Sequence, residues 1–239
     1  ISYSGYVGLQ VPTNIMKLCN TEQYVELLNM ANENVPGYVQ KKASDYPAST
    51  DWYKQLVRNA ITHSHSLDIS GGSEKTSYAI GLGYFNQDGI MNADNGYDRI
   101  NFRGRLDQKV LPWLDMGTNL LLSYYDRKDP ATSAFTQAFV NPPVYPARNE
   151  ENTVAFPEAF DSPQRYGFGG SYGNPYATIF YHDSKTKGLN LVFSAYADIK
   201  FIKDKLKFRT AYNAEFQGYQ SSSYTPEHLV FGTQGTNTS

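Results

Sequence analysis

The chain has 239 residues, of which 40% are hydrophobic and 18% charged, a balance that excludes both a disordered chain and a bundle of membrane helices. Its net charge of -2, with Lys and Arg scattered among Asp and Glu, excludes a surface that follows nucleic-acid phosphates. Its single cysteine, Cys19, excludes an internal disulfide.

Residues 1–12 alternate apolar and polar side chains and predict a first strand with one apolar face. The chain begins at Ile1 directly in this pattern, so we expect an internal or processed fragment of a longer protein. Over residues 13–62 the period changes: Asn20 and Gln23 form a capping-box pattern, and Trp52 and Leu56 stand at helical spacing. We predict a loop with short helices there.

Residues 63–126 return to strict alternation and predict strands two to five. One of these strands alternates apolar residues with Arg99, Arg103 and Arg105, a row that the core of a soluble sandwich would not accept. Residues 127–186 are rich in Pro, Gly and aromatic residues and predict a long functional loop. Residues 187–219 then predict strands six and seven, and residues 220–239 the start of the next loop.

The seven predicted strands are about ten residues long, apolar on one face and polar on the other, as outer-membrane strands are. Their connections alternate between long and short, which is typical of bacterial barrels with long extracellular loops. We therefore predict an all-β fold, a transmembrane antiparallel β-barrel segment with a small helical insert in its first extracellular loop. The alternative is a soluble, half-exposed antiparallel sheet.

Several motifs have a familiar form, including Thr50-Asp51-Trp52-Tyr53, His65 to Gly72 and Gly83-Tyr84-Phe85-Asn86-Gln87-Asp88-Gly89. Together with Arg103 to Lys109 and Gly117 to Tyr124, they resemble the early barrel of SusC/RagA-type TonB-linked (TonB-dependent) outer-membrane transporters. The resemblance is specific over residues 1–126 and compatible over 187–219, whereas the long loop between them has no recognisable counterpart.

The resemblance implies a barrel of about 22 strands with a plugged lumen, of which this chain holds the N-terminal part. It implies import of an oligosaccharide, or of an oligopeptide, across the outer membrane of a Gram-negative bacterium. The implied partners are a SusD-like surface lipoprotein, outer-membrane lipid, and the TonB complex through parts not in this chain. The rival hypotheses are a passive porin and a soluble, aromatic-rich carbohydrate-binding β domain.

Two groups of side chains are candidates for the functional site. The first comprises long-loop aromatic residues that could stack on a sugar or pack against a peptide, namely Phe135, Tyr145, Tyr166, Phe168, Tyr172 and Tyr176. The same rings could instead hold the loop together. The second comprises cations predicted to face the lumen or the plug, namely Arg99, Arg103, Arg105, Lys207 and Arg209.

Three weaker motifs do not lead to a predicted catalytic residue, metal site or cofactor. Gly169 to Gly173 matches G-x-S-x-G but lies in a glycine-rich loop without the strand and helix that a nucleophile elbow requires. The alternation from Asn92 to Asp98 lacks the closing glutamate of a calcium loop. His63 and His65 share one face but are too few for a closed metal site.

Overall fold

A computed structural model describes residues 1–151, 159–168, 173–202 and 205–224. The strands are β1 (Ser2–Gln10), β2 (Ala60–Gly72), β3 (Thr76–Asp88), β4 (Gly96–Leu111), β5 (Leu114–Lys128), β6 (Asp183–Ile202) and β7 (Leu206–Tyr224). The helices are α1 (Thr21–Asn32), α2 (Trp52–Leu56), α3 (Ser133–Val140) and α4 (Pro175–Tyr181), with 3-10 turns at Ala43–Asp45 and Pro163–Tyr166. No helix in these ranges has the length and apolarity that crossing a bilayer demands.

The seven strands form one antiparallel sheet in which each strand pairs with the next along the chain, from β1 to β7. Directly paired residues point to the same side of a sheet, so the register defines rows that cross all the strands. One apolar row consists of Tyr3, Leu67, Leu82, Phe102, Leu122, Leu191 and Phe216. The predicted all-β fold with one apolar face is confirmed, and in the described residues the sheet is open between β1 and β7.

Nothing in the described residues covers this apolar face. Leu82 is 51% exposed and Phe216 57% exposed, although each occupies the middle of its strand. A soluble sheet of this size would bury the face against a second layer. An uncovered apolar face of seven strands therefore fits the lipid-facing wall of a barrel.

The strands are longer than the alternation predicts. β2 begins at Ala60, β6 begins at Asp183, and β7 continues to Tyr224, beyond the predicted boundaries at residues 63, 187 and 219. Near the start of β6 and the end of β7 the paired residues are polar, such as Thr186 with Ser221. Backbone pairing thus continues past the point where the apolar pattern stops, because ladder hydrogen bonds do not depend on the side chains.

The long connections 11–59, 89–95 and 129–182 all leave the sheet at one end, and they pack together there. Trp52, Met91 and Tyr145 come from the three connections in turn and share one buried core. We call residues 20–59 and 89–95, with the described parts of 129–182, the loop domain. The only extended hydrophobic core in the described part of the chain lies in this domain, and the sheet has none.

The first helix begins as predicted. The Asn20 side chain accepts a hydrogen bond from the Gln23 backbone N–H at 2.9 Å, and the Gln23 side chain accepts one from the Asn20 N–H at 3.1 Å. This reciprocal cap satisfies two donors that a helix start leaves free. Farther along the loop domain, α2 supplies the buried side chains of Trp52 and Leu56.

Candidate functional site

Four of the five predicted inner-face cations form ion pairs with neighbours on the same polar face of the sheet. Arg103 donates to Asp68 at 2.8 Å, and Arg105 donates to Asp107 at 2.7 Å. Arg209 binds both carboxylate oxygens of Asp198, at 2.6 and 2.7 Å. Lys207 reaches the same carboxylate at 2.7 Å. The positive charge of these four side chains is therefore already compensated within the wall.

One of these ion pairs, and a hydrogen bond elsewhere on the same face, cross an intervening strand at a glycine. Gly81 lies between Asp68 and Arg103 in the register, and a Cβ at Gly81 would come within 2.6 Å of the Asp68 carboxylate. Gly117 lies between Asp107 and Tyr196 in the same way, and the Tyr196 hydroxyl donates to Asp107 at 2.7 Å. A glycine in a strand leaves room for such a close approach.

Arg99, the fifth of the predicted cations, has no carboxylate partner among the described residues. Its guanidinium carbon lies 5.6 Å from the centroid of the Phe85 ring, as in a cation–π contact. Its Nε is buried and has no acceptor in the described ranges. Nearby, the Oδ1 of Asn190 is also buried without a donor. Arg99 and Asn190 line one concavity of about 430 Å³ on the inner face.

A row of aromatic rings extends from this concavity toward the loop domain. Phe85 lies 6.1 Å from Tyr97, and Tyr97 lies 5.9 Å from Tyr125, measured between ring centroids. A Cβ at Gly188 would meet the Tyr125 ring, so Tyr125 lies flat against the wall. The sequence pattern did not single out these three rings, because alternation reports the face of a residue and not its neighbours across the sheet.

Tyr145 does not fit its predicted role in ligand contact, because its side chain is 0% exposed. Its ring lies 4.9 Å from that of Trp52, and its hydroxyl donates to the Asn141 side chain at 2.6 Å. Burial raises the pKa of Tyr145 well above the ordinary value for tyrosine. Tyr145 is a core residue of the loop domain.

The other described rings of the predicted set are half-buried against the same core. Phe168 packs on Tyr24 and Tyr46, with centroid distances of 5.8 Å to each. Phe135 lies 5.7 Å from Tyr53. These contacts join the long loop to the helical insert, so much of the ring surface is used in holding the loop domain together.

Tyr166 and Tyr176 complete the described part of this set, and Tyr172 lies outside the described residues. Tyr166 stacks on Tyr145 at 6.1 Å, and its hydroxyl donates to Asp161 at 2.7 Å. Burial, together with this hydrogen bond, raises the pKa of Tyr166 to about 12. Tyr176 lies 6.0 Å from Phe160.

Arg148 makes a contact that the sequence did not reveal. Its guanidinium carbon lies 5.3 Å from the ring centroids of Phe160, Tyr176 and Phe180. Phe180 on α4 remains 54% exposed, and Phe139 on α3 is 60% exposed. The loop domain thus presents aromatic surface as well as burying it.

No family model matches the chain. Comparison with known proteins finds relatives that are named as TonB-dependent receptors. TonB-dependent receptor P26 of Formosa agariphila is 26% identical over 98% of this chain, which covers 23% of that relative. TonB-dependent receptor P3 of the same organism is 24% identical over 94% of this chain, covering 22% of the relative. The chain therefore spans less than a quarter of the length of these two relatives.

A further relative is TonB-dependent receptor SusC of Bacteroides thetaiotaomicron, which is 38% identical over 96 residues, or 40% of this chain and 9% of that protein. Among solved structures, the RagAB peptide transporter superposes with a TM-score of 0.72 at 18% identity. It covers 92% of this chain, which matches 28% of the transporter chain. The resemblance to SusC/RagA-type TonB-dependent transporters is confirmed.

The carboxylates of the weak calcium-loop pattern have ordinary structural partners. Asp94 accepts hydrogen bonds from Lys128 at 2.7 and 2.8 Å, and Asp98 accepts one from Tyr84 at 2.8 Å. These carboxylates therefore do not converge on one point, and no cluster of three metal-ligating side chains occurs in the residues that the structure describes. Gly169 to Tyr172, which hold most of the G-x-S-x-G pattern, lie outside those residues.

His63 and His65 lie on the apolar side of the sheet. Their ring centroids are 5.3 Å apart, and the Tyr3 hydroxyl lies 2.7 Å from Nδ1 of His65. The Tyr84 ring lies 5.6 Å from that of His63. Aromatic and amphipathic side chains of this kind are typical of the membrane–water boundary.

Proposed function

We propose that this chain forms part of the wall of an outer-membrane, TonB-dependent importer of nutrient oligomers. The observation that carries the proposal is the alignment of nearly the whole chain with two proteins named as TonB-dependent receptors. The uncovered apolar face and the ion-paired polar face support it, since a barrel places lipid outside and a polar lumen inside. The relatives are named as receptors and transporters, which favours binding and gating over chemistry on the substrate.

An oligosaccharide is the favoured cargo, and an oligopeptide is the alternative. The inner face next to the loop domain combines the rings of Tyr97 and Tyr125 with the amides of Asn101 and Asn190, and sugars bind such surfaces by stacking and neutral hydrogen bonds. The alternative rests on the likeness to a structure described as a peptide transporter. Tyr166 and Tyr176, two of the half-buried rings of the long loop, remain candidates for contact with the imported oligomer.

We propose a SusD-like surface lipoprotein as the partner of the loop domain. Phe139 and Phe180 are exposed by 60% and 54%, and large exposed rings are enriched at protein interfaces. The TonB complex would act through segments outside this chain. The outer membrane of a Gram-negative bacterium is the proposed location of the whole protein.

The test begins with the full-length protein that contains this chain, tagged and solubilised from membranes with a mild detergent. Co-purification of a lipoprotein, together with retention of malto-oligosaccharides or casein peptides, supports the proposal. Loss of uptake when the TonB complex is deleted distinguishes an active importer from a passive porin. Recovery of the protein from the soluble fraction without detergent would contradict the membrane location and favour the carbohydrate-binding domain.

A further inference from the structure

Arg99 is a cation of the inner wall that forms no ion pair with a carboxylate among the described residues. Arg103, Arg105, Lys207 and Arg209 each lie within 2.8 Å of a carboxylate oxygen. Arg99 has no such partner in the described ranges, and its buried Nε has no acceptor there. Burying a charged N–H donor without an acceptor costs free energy. A ligand that supplies an acceptor to Arg99 is therefore bound more favourably than one that supplies an acceptor to an arginine already paired with a carboxylate.

Arg99 is also positioned to receive a ligand. It stands three residues into β4, on the end of the sheet that carries the loop domain. Its guanidinium lies over the Phe85 ring, a contact that orients the group. Arginine binds carboxylates through two parallel hydrogen bonds of its guanidinium.

The surroundings of Arg99 have the size and chemistry of a binding site. Ser64, Ser66 and Gly83 are small, and they leave a concavity of about 430 Å³, within the usual range for small-ligand sites. Asn190 contributes a buried Oδ1 that has no donor in the described residues. A ligand that brings an acceptor to Arg99 and a donor to Asn190 satisfies both groups.

We propose that this concavity, the Arg99 site, binds the carboxylate of an acidic oligomer during import. The Arg99 guanidinium pairs with the carboxylate, and Asn190 accepts a hydrogen bond from a hydroxyl or amide N–H of the same oligomer. A uronate-containing oligosaccharide and an acidic peptide share this chemistry. The proposal rests on the import function and narrows its substrate class from nutrient oligomers in general to acidic ones.

The chain covers 23% of TonB-dependent receptor P26. The competing occupant of the Arg99 site is therefore a carboxylate from another part of the full-length protein. A fixed internal partner would make Arg99 a stability contact with no influence on which solute is bound. The charge of the ligand is therefore the property to vary, and the thermal stability of the protein is the second readout.

The experiment uses the full-length protein, purified with its companions in mild detergent. The probes are oligogalacturonides and casein peptides, each before and after methyl esterification of the carboxyl groups, with malto-oligosaccharides as neutral references. Native mass spectrometry measures the fraction of each probe that is retained. Arg99→Gln is compared with the wild type and with Arg105→Gln, a matched variant of an arginine that Asp107 already pairs and that does not line the concavity.

We expect the wild type to prefer the free carboxylates over their esters, and Arg99→Gln to lower that preference about tenfold or more, the effect of one charged hydrogen bond. Arg105→Gln should retain the preference. Equal preference in the wild type and Arg99→Gln would overturn the proposal, and so would an altered melting temperature with unchanged retention. If the wild type retained neutral oligomers without preferring acids, the Arg99 site alone would be wrong; retention of no probe would contradict the import function as well.

Discussion

Asp68 on β2 and Arg103 on β4 form an ion pair of 2.8 Å although β3 lies between their strands. The Arg103 side chain crosses β3 at Gly81, where a Cβ would come within 2.6 Å of the Asp68 carboxylate. Tyr196 and Asp107 repeat the arrangement across β5 at Gly117. Side chains that skip a strand connect the sheet beyond nearest-neighbour pairing, and each such link depends on one glycine.

Gly81→Ala is therefore expected to destabilise the sheet by about 1–3 kcal/mol, the usual cost of overpacking a close contact. The added methyl group displaces Arg103 or Asp68 and breaks their pair. Chemical unfolding of the full-length protein in detergent measures the change. Gly83→Ala is the matched control on the same face of β3, because its nearest contact would be an ordinary 3.7 Å. Equal stability of the two variants would contradict this role for Gly81.

Asp198→Asn is expected to destabilise the wall because Asp198 is 3% exposed and compensates two cations, Arg209 and Lys207. Both cations are at least half exposed, so water screens part of the loss and we expect about 1–3 kcal/mol. Asp183→Asn is the control, since its pair with Lys185 is exposed on both sides. Its change should stay below about 0.5 kcal/mol. The same unfolding assay on both variants checks the difference, and a similar loss in the two would be inconsistent with it.

The strands were predictable because alternation of apolar and polar residues reports which face of a sheet a residue occupies. The start of α1 was predictable because the Asn20 cap is a local pattern. The partners of Arg103 and Tyr196 were not, since they depend on the register between strands far apart in sequence. The burial of Tyr145 was not predictable for the same reason: composition marks an aromatic loop, but only the packing of three distant connections shows which ring is buried.

The hydroxyl of Tyr166 is expected to resist ionisation in the folded loop domain. Its pKa is raised to about 12 from an ordinary value near 10, by burial first and then by the hydrogen bond to Asp161. A pKa that is higher in the folded state contributes stability below pH ~10, and that stability is lost as the pH rises to about 12. Carbon-13 tyrosine NMR of the full-length protein, with Tyr166→Phe to assign the signal, measures the midpoint. A midpoint near the ordinary value would contradict the described burial.

Asn174 provides the sharpest test of how the loop domain is held together. Its side-chain amide donates to the backbone carbonyls of Ala147 and Asp161 at 2.8 and 2.9 Å, while its oxygen caps the first N–H groups of α4 at 2.9 and 3.2 Å. Asn174→Asp preserves the capping oxygen but directs a second, charged oxygen at two carbonyls. We expect about 2–4 kcal/mol of destabilisation, from the lost hydrogen bonds and from a buried negative charge that faces two carbonyl oxygens.

Limited proteolysis of the full-length protein measures this change, with faster cleavage in residues 129–182 expected and the barrel left resistant. Asn149→Asp is the matched control in the same loop. Asn149 is partly exposed, and its side-chain oxygen accepts a hydrogen bond from the Glu151 N–H, a contact that aspartate keeps. Cleavage at the wild-type rate in Asn174→Asp would mean that the packing of α3 and α4 on α2 holds the domain without this residue. Cleavage that spreads into the strands would mean that the loop domain and the wall unfold as one unit.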